Sequence, residues 1–136
     1  MSKEEEVKKE ETVIETKEET LQDYLKQIEE SPSPEQIESW KEEHGEVLLF
    51  GFSEKEMFLF RPVRRGDYLG LQVEGQKQEL TSEAGEELLL DHCVLWPEKV
   101  NWQETKAGTV TTLVEVIMNN SNFLSPQAAT MLVAKL

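Results

Sequence analysis

The stretch EVLLFGFSEKEMFLFRPVRRGDY, residues 46–68, decides how the chain is read. Two short apolar runs, Val47–Phe52 and Met57–Phe60, flank a polar four-residue gap, Ser53-Glu54-Lys55-Glu56. Arg61-Pro62 stops the second run, since proline has no N–H to give to a strand ladder. Two such runs with a four-residue connection predict an antiparallel β-hairpin. Val47–Phe52 is too continuous for a strand with one wet face. Either it is covered on both sides, or one face meets a partner. Met57–Phe60 reads the same way. A lone hairpin is marginal in water, so helices or a neighbouring subunit must cover it. The stretch holds four of the chain's five Phe. Phe50, Phe52, Phe58 and Phe60 are therefore expected to divide between the domain's own helices and a neighbour.

Upstream, the reading moves from tail to helix. Residues 1–18 are nearly all Glu, Lys and Thr, with Val7, Val13 and Ile14 the only apolar residues past Met1. Such a composition cannot offset its ordering entropy by burial. It is expected to be disordered, or a frayed helix ordered only on a partner. Thr20 is a candidate cap for a short helix whose apolar face is Leu21, Tyr24, Leu25 and Ile28. Ser31-Pro32-Ser33-Pro34 breaks that helix and marks the boundary between a tail, 1–32, and a compact domain, 33–136. Ser33 then caps a second helix, with Pro34 in its first turn and Gln36 three residues past the cap. Gly45 suits its stop.

Downstream, residues 64–87 are the hardest to read. Gly66, Gly70, Gly75 and Gly85 interrupt any long helix. Asp67-Tyr68-Leu69 is a candidate start for a short one, and Leu69–Val73 a candidate extra strand. Glu83 to Trp96 reads as a helix with Leu88, Leu89, Cys93 and Trp96 on one side, ended by Pro97. Thr105 is a candidate cap for the clearest amphipathic pattern in the chain, Val110, Leu113, Val114, Ile117 and Met118. Asn119–Asn122 ends it. Ser125-Pro126 opens a last helix with an apolar stripe of Ala129, Leu132, Val133 and Leu136, expected to be docked. The fold class is thus α+β: a short antiparallel β-hairpin packed with about four to five α-helices behind an acidic, flexible N-terminal tail.

Charge narrows the function classes. The chain has 136 residues, 28 acidic and 14 basic, for a net charge of −14. Residues 1–43 carry 15 acids and 6 bases, net −9, against −5 for residues 44–136. An acidic surface repels phosphate backbones, so direct nucleic-acid binding is not expected. Cys93 is the only cysteine, which rules out an internal disulfide and fits a reducing compartment. The N-terminus lacks the apolar segment of a signal peptide, and no apolar run reaches the length of a membrane span.

The residues that carry chemistry are few. His92 and Cys93 are adjacent, so on a helix they point about 100° apart and do not form a metal-ligand pair. His44 beside Gly45 reads as a cation at a helix end. No glycine-rich phosphate loop is present. No nucleophile, base and oxyanion donors assemble, so no enzymatic activity, cofactor or metal is expected. Arg61, Arg64 and Arg65 form the only basic cluster. It either takes an anion or acidic partner strip, or is surface charge that pairs with the acidic tail. Trp96 and Trp102 read as core or interface anchors.

Four pieces in order carry a resemblance. They are Pro34–Lys41 (PEQIESWK) leading to His44-Gly45-Glu46-Val47, then Phe58-Leu59-Phe60-Arg61-Pro62, then Cys93-Val94-Leu95-Trp96-Pro97, then Ala107-Gly108-Thr109-Val110 with Ser121-Asn122-Phe123. This order resembles small tailed-bacteriophage proteins identified as tail or baseplate assembly chaperones or minor virion proteins. The match covers about residues 33–124. In that pattern the segment after Phe-Arg-Pro continues as a helix with a Tyr; here Tyr68 is kept and Gly66 is inserted. The resemblance implies a non-enzymatic protein that engages other phage tail or baseplate proteins, in an oligomer or hetero-assembly, in the host cytoplasm during assembly or in the virion tail. From the apolar hairpin, the basic cluster and the tryptophans, the expected partner contacts are Phe50, Phe52, Phe58, Phe60, Arg61, Arg64, Arg65, Trp96 and Trp102. The alternative from charge alone is an acidic inhibitor or regulator that binds a basic host protein surface, with nucleic-acid mimicry as one way of doing so.

Overall fold

The computed structural model describes residues 20–136, and the expectation for residues 1–18 lies outside them. The described residues form an α+β fold of six α-helices and a three-stranded antiparallel sheet. They run as α1 (20–27), α2 (Pro34–His44), β1 (Leu48–Ser53), β2 (Glu56–Phe60), α3 (Arg65–Lys77), α4 (Ser82–Cys93), β3 (Val94–Trp96), a 3-10 turn (Trp102–Glu104), α5 (Thr109–Asn120) and α6 (Pro126–Met131). The strand order is β1-β2-β3. The described residues divide into two compact units, 20–59 and 60–136.

In the first unit, local chemistry sets the helix ends. Ser33 Oγ accepts from the Gln36 N–H at 3.1 Å and Pro34 opens α2. Gly45 closes it in a backbone conformation with φ 87°, its N–H donating to the Lys41 carbonyl at 2.8 Å. The apolar face of α1 is the inward one: Leu25 is buried, and Leu21, Tyr24 and Ile28 are half-buried. Thr20 lies within the helix, not ahead of it. The hairpin is tighter than the sequence suggests, with Glu54-Lys55 alone as its loop. Ser53 Oγ accepts from the Lys55 N–H at 3.3 Å and holds that turn. Glycine is needed at position 51 for space. A Cβ there would lie 3.2 Å from Leu21 Cδ2 and 3.3 Å from Met57 Cγ, so α1 reaches the hairpin only because no side chain intervenes.

In the second unit, α4 packs against both α3 and α5. The stripe expected on α5 is the core: Leu113 and Ile117 are fully buried, with Val110, Val114 and Met118 half-buried beside them. Each fully buried aliphatic side chain contributes about 1.5–3 kcal/mol. Leu89, Leu90 and Cys93 face them from α4 as that helix's buried residues. Thr81 Oγ1 caps α4 by accepting from the Ala84 N–H at 3.2 Å. Ser125 Oγ caps α6 by accepting from the Ala128 N–H at 3.1 Å.

Four expectations are corrected here. The candidate strand Leu69–Val73 is instead part of a continuous 13-residue helix, α3, which runs through Gly66, Gly70 and Gly75. The glycine penalty of about 1 kcal/mol each is opposed by Asp67 in the first turn, Lys77 in the last, and side-chain bonds from Gln72 to Tyr68 and from Gln78 to Glu74. Glu79, with φ 51°, then ends the helix, and the Leu80 N–H returns to the Gly75 carbonyl at 3.0 Å. Second, the helix expected to reach Trp96 stops at Cys93, and Val94–Trp96 is a third strand. Third, α5 begins after Gly108; Thr105 Oγ1 donates to the Trp102 carbonyl instead of capping. Fourth, α6 ends at Met131, and Met131, Leu132 and Val133 are exposed, so the C-terminal stripe is not docked on this chain.

Candidate interaction site

The sequence candidates separate by burial. Phe58 and Phe60 on β2 and Trp102 in the 3-10 turn lie inside the chain, at 5%, 1% and 8% exposure, and present no surface to a partner. Trp102 Nε1 donates to Asp91 Oδ1 at 2.8 Å, which satisfies the one polar atom of a buried indole. Phe50 is half-buried and Phe52 exposed. Their rings meet edge-on at 4.9 Å, and Phe52 meets Phe58 edge-on at 6.1 Å. Of the four Phe, Phe52 alone is exposed. Trp96 is half-buried on β3.

The three arginines have three different positions. Arg61 points inward with its side chain 13% exposed. Its backbone N–H donates to the Cys93 carbonyl at 3.0 Å, which places the residue beside the end of α4. One guanidinium nitrogen, Nη2, lies 2.8 Å from His92 Nε2, and Nη1 lies 3.6 Å from Asp67 Oδ2. A guanidinium only donates, so in this contact the imidazole nitrogen is the acceptor. Asp67 Oδ2 is also 3.5 Å from His92 Nε2. Arg61 Nε is buried without a hydrogen-bond partner. The cluster is a structural brace for the segment between β2 and α3. Arg64 is exposed and occupies the N-cap of α3 without a side-chain capping bond. Arg65 is exposed at the first position of α3 and lines a cleft.

Cys93 lies beside the brace and is fully buried. Burial pushes its thiol up from the ordinary 9.0 to about 11; Arg61 opposes the rise and Asp67 adds to it. A buried thiol held in its protonated form is a poor nucleophile. Among the described residues, no group of three or more His, Cys, Asp and Glu side chains converges to hold a metal.

The cleft was not foreseen. It is an open pocket of about 230 Å³ lined by Val63, Arg65, Tyr68, Ser121, Asn122 and Phe123. The 63–68 segment and the turn after α5 are joined by one hydroxyl. Ser121 Oγ accepts from the Val63 N–H at 2.9 Å and donates to the Ile117 carbonyl at 2.6 Å. Asn122 takes a left-handed conformation, φ 69°, and the Phe123 N–H returns to the Met118 carbonyl at 3.0 Å. That turn brings the Phe123 ring to 5.0 Å from Tyr68, tilted by 58°. The sequence signals for it were the Asn-Asn-Ser-Asn helix end and Tyr68, neither of which indicates by itself that they meet.

No protein-family model, curated protein or solved structure matches the chain. No described helix is long and apolar enough to cross a membrane.

Proposed function

We propose that the chain is a non-enzymatic protein of phage tail or baseplate assembly that acts by binding other proteins, as an assembly chaperone or a minor structural component. The observation that carries the binding half is the set of large apolar side chains left in water. On the second unit these include Leu69 and Val73 of α3, Phe123 and Leu124 after α5, and Met131, Leu132 and Val133 at the end of α6. Large apolar side chains grouped on a surface mark contact sites. The phage half is supported by the order of the quoted pieces over residues 33–124. On this reading the protein works in the host cytoplasm during assembly and stays in the tail if it is structural.

The test is a pull-down with tail proteins, joined to mass spectrometry of purified virions. Presence in the virion identifies a structural component. Absence from the virion with capture of a tail protein identifies a chaperone. Absence from the virion together with no captured tail protein would overturn the assembly reading.

A further inference from the structure

The cleft at the start of α3 has two kinds of wall. Val63 and the rings of Tyr68 and Phe123 supply apolar surface, and Arg65 supplies charge at the rim. Ser121 Oγ is already used by Val63 and Ile117, so Ser121 is wall and not ligand. Tyr68 Oη accepts from Gln72 Nε2 at 3.0 Å, and its own hydrogen is left to donate. Arg65 makes no ion pair with any described carboxylate. In a chain of net charge −14, a guanidinium beside two rings with no ion pair among the described residues is a local reversal of sign. The volume, about 230 Å³, lies below the usual range for small-molecule pockets, about 300–1,000 Å³. It suits one side chain rather than a cofactor.

The geometry points to a docking site for a linear segment of a partner protein, in which one apolar side chain enters the cleft and a neighbouring carboxylate pairs with Arg65. Guanidinium groups match carboxylates in a planar, two-bond geometry. The surrounding acidity of the chain repels carboxylates elsewhere, so the pair selects where the segment lands. The inference does not rest on the tail-assembly reading; it requires only that the cleft bind a peptide.

The probe is the peptide Ac-Ala-Leu-Asp-Ala-NH₂, with Ac-Ala-Leu-Asn-Ala-NH₂ as its uncharged counterpart. Each is titrated into the full ¹⁵N-labelled chain and followed by amide chemical shifts. Saturable shifts are expected at Arg65, Tyr68, Asn122 and Phe123. Replacing Asp by Asn in the peptide, or Arg65→Gln in the protein, should each weaken binding about three- to fivefold, the range of an exposed ion pair. Arg65 is exposed, so R65Q is expected to fold. Absence of saturable shifts at those four amides up to about 10 mM peptide overturns the site. Equal affinity for the two peptides overturns the role of Arg65. The same shift pattern from inorganic phosphate at matched ionic strength overturns the peptide and leaves a simple anion site.

Discussion

Strand β2 and helix α3 lie four residues apart in the chain and are treated in opposite ways. All four apolar residues of β2, Met57 to Phe60, are buried. No residue of the 13-residue α3 is buried, and its Leu69 and Val73 are 42% and 51% exposed. The unbroken apolar run of β2 became core, and the glycine-interrupted stretch of α3 became surface. The proposed partner surface therefore lies less on the hairpin than on α3 and the cleft beside it. An apolar run is a demand for burial, and where the chain can meet that demand itself nothing is left for a partner.

The largest expected effect tests this contrast directly. Phe60→Ala should destabilise the protein by about 3–5 kcal/mol, the range for a large aromatic removed from a core. Leu69→Ala or Val73→Ala should each cost under about 1 kcal/mol. Urea denaturation of the three variants measures both, and comparable losses would break the comparison.

The second test concerns Cys93, whose carbonyl receives the N–H of Arg61 just past β2. Its thiol stays protonated in the fold up to about 11, whereas in the unfolded chain it ionises near 9.0. The raised folded value means that this contribution is fully present below pH 9 and is lost as pH rises toward 11. Over that window it amounts to about 2–3 kcal/mol. Denaturation curves from pH 8 to 11 should fall more steeply for the wild type than for Cys93→Ala; parallel curves would overturn the assignment.

The two smaller effects have opposite signs. Gly51→Val places atoms against Leu21 and Met57, whose contacts with even a bare Cβ are 3.2 and 3.3 Å. It should destabilise by about 1–3 kcal/mol. Gly70→Ala meets nothing within 4 Å on α3 and should stabilise by about 0.5–1 kcal/mol. Thermal melts of the pair sharpen the comparison: added bulk harms the packed face and helps the open helix.

The same contrast explains what was legible in the sequence. Ser33-Pro34 and Ser125-Pro126 announce helix starts because capping is local chemistry. Leu113 and Ile117 announce a buried face because their spacing repeats with the helix. Val94-Leu95-Trp96 was hidden because three apolar residues after an apolar helix face continue its pattern whether they turn or extend. Helix α3 was hidden because glycine counts against a helix locally, while the partners that sustain it, Tyr68 with Gln72 and Glu74 with Gln78, become visible only once the helix exists. The cleft needed tertiary knowledge throughout. Val63 and Ser121 are 58 positions apart, and no local rule connects them.

That single bond has a kinetic meaning. Ser121 holds Val63 and Ile117 together, so the amide of Val63 is protected by the last turn of α5 and not by a strand neighbour. Its hydrogen exchange should then share the opening free energy of the α5 C-terminal amides, not that of the hairpin. The Val63 wall of the cleft and the end of α5 are then expected to open as one event. A Ser121→Ala chain would separate the two, letting Val63 exchange early while Ile117 stays closed.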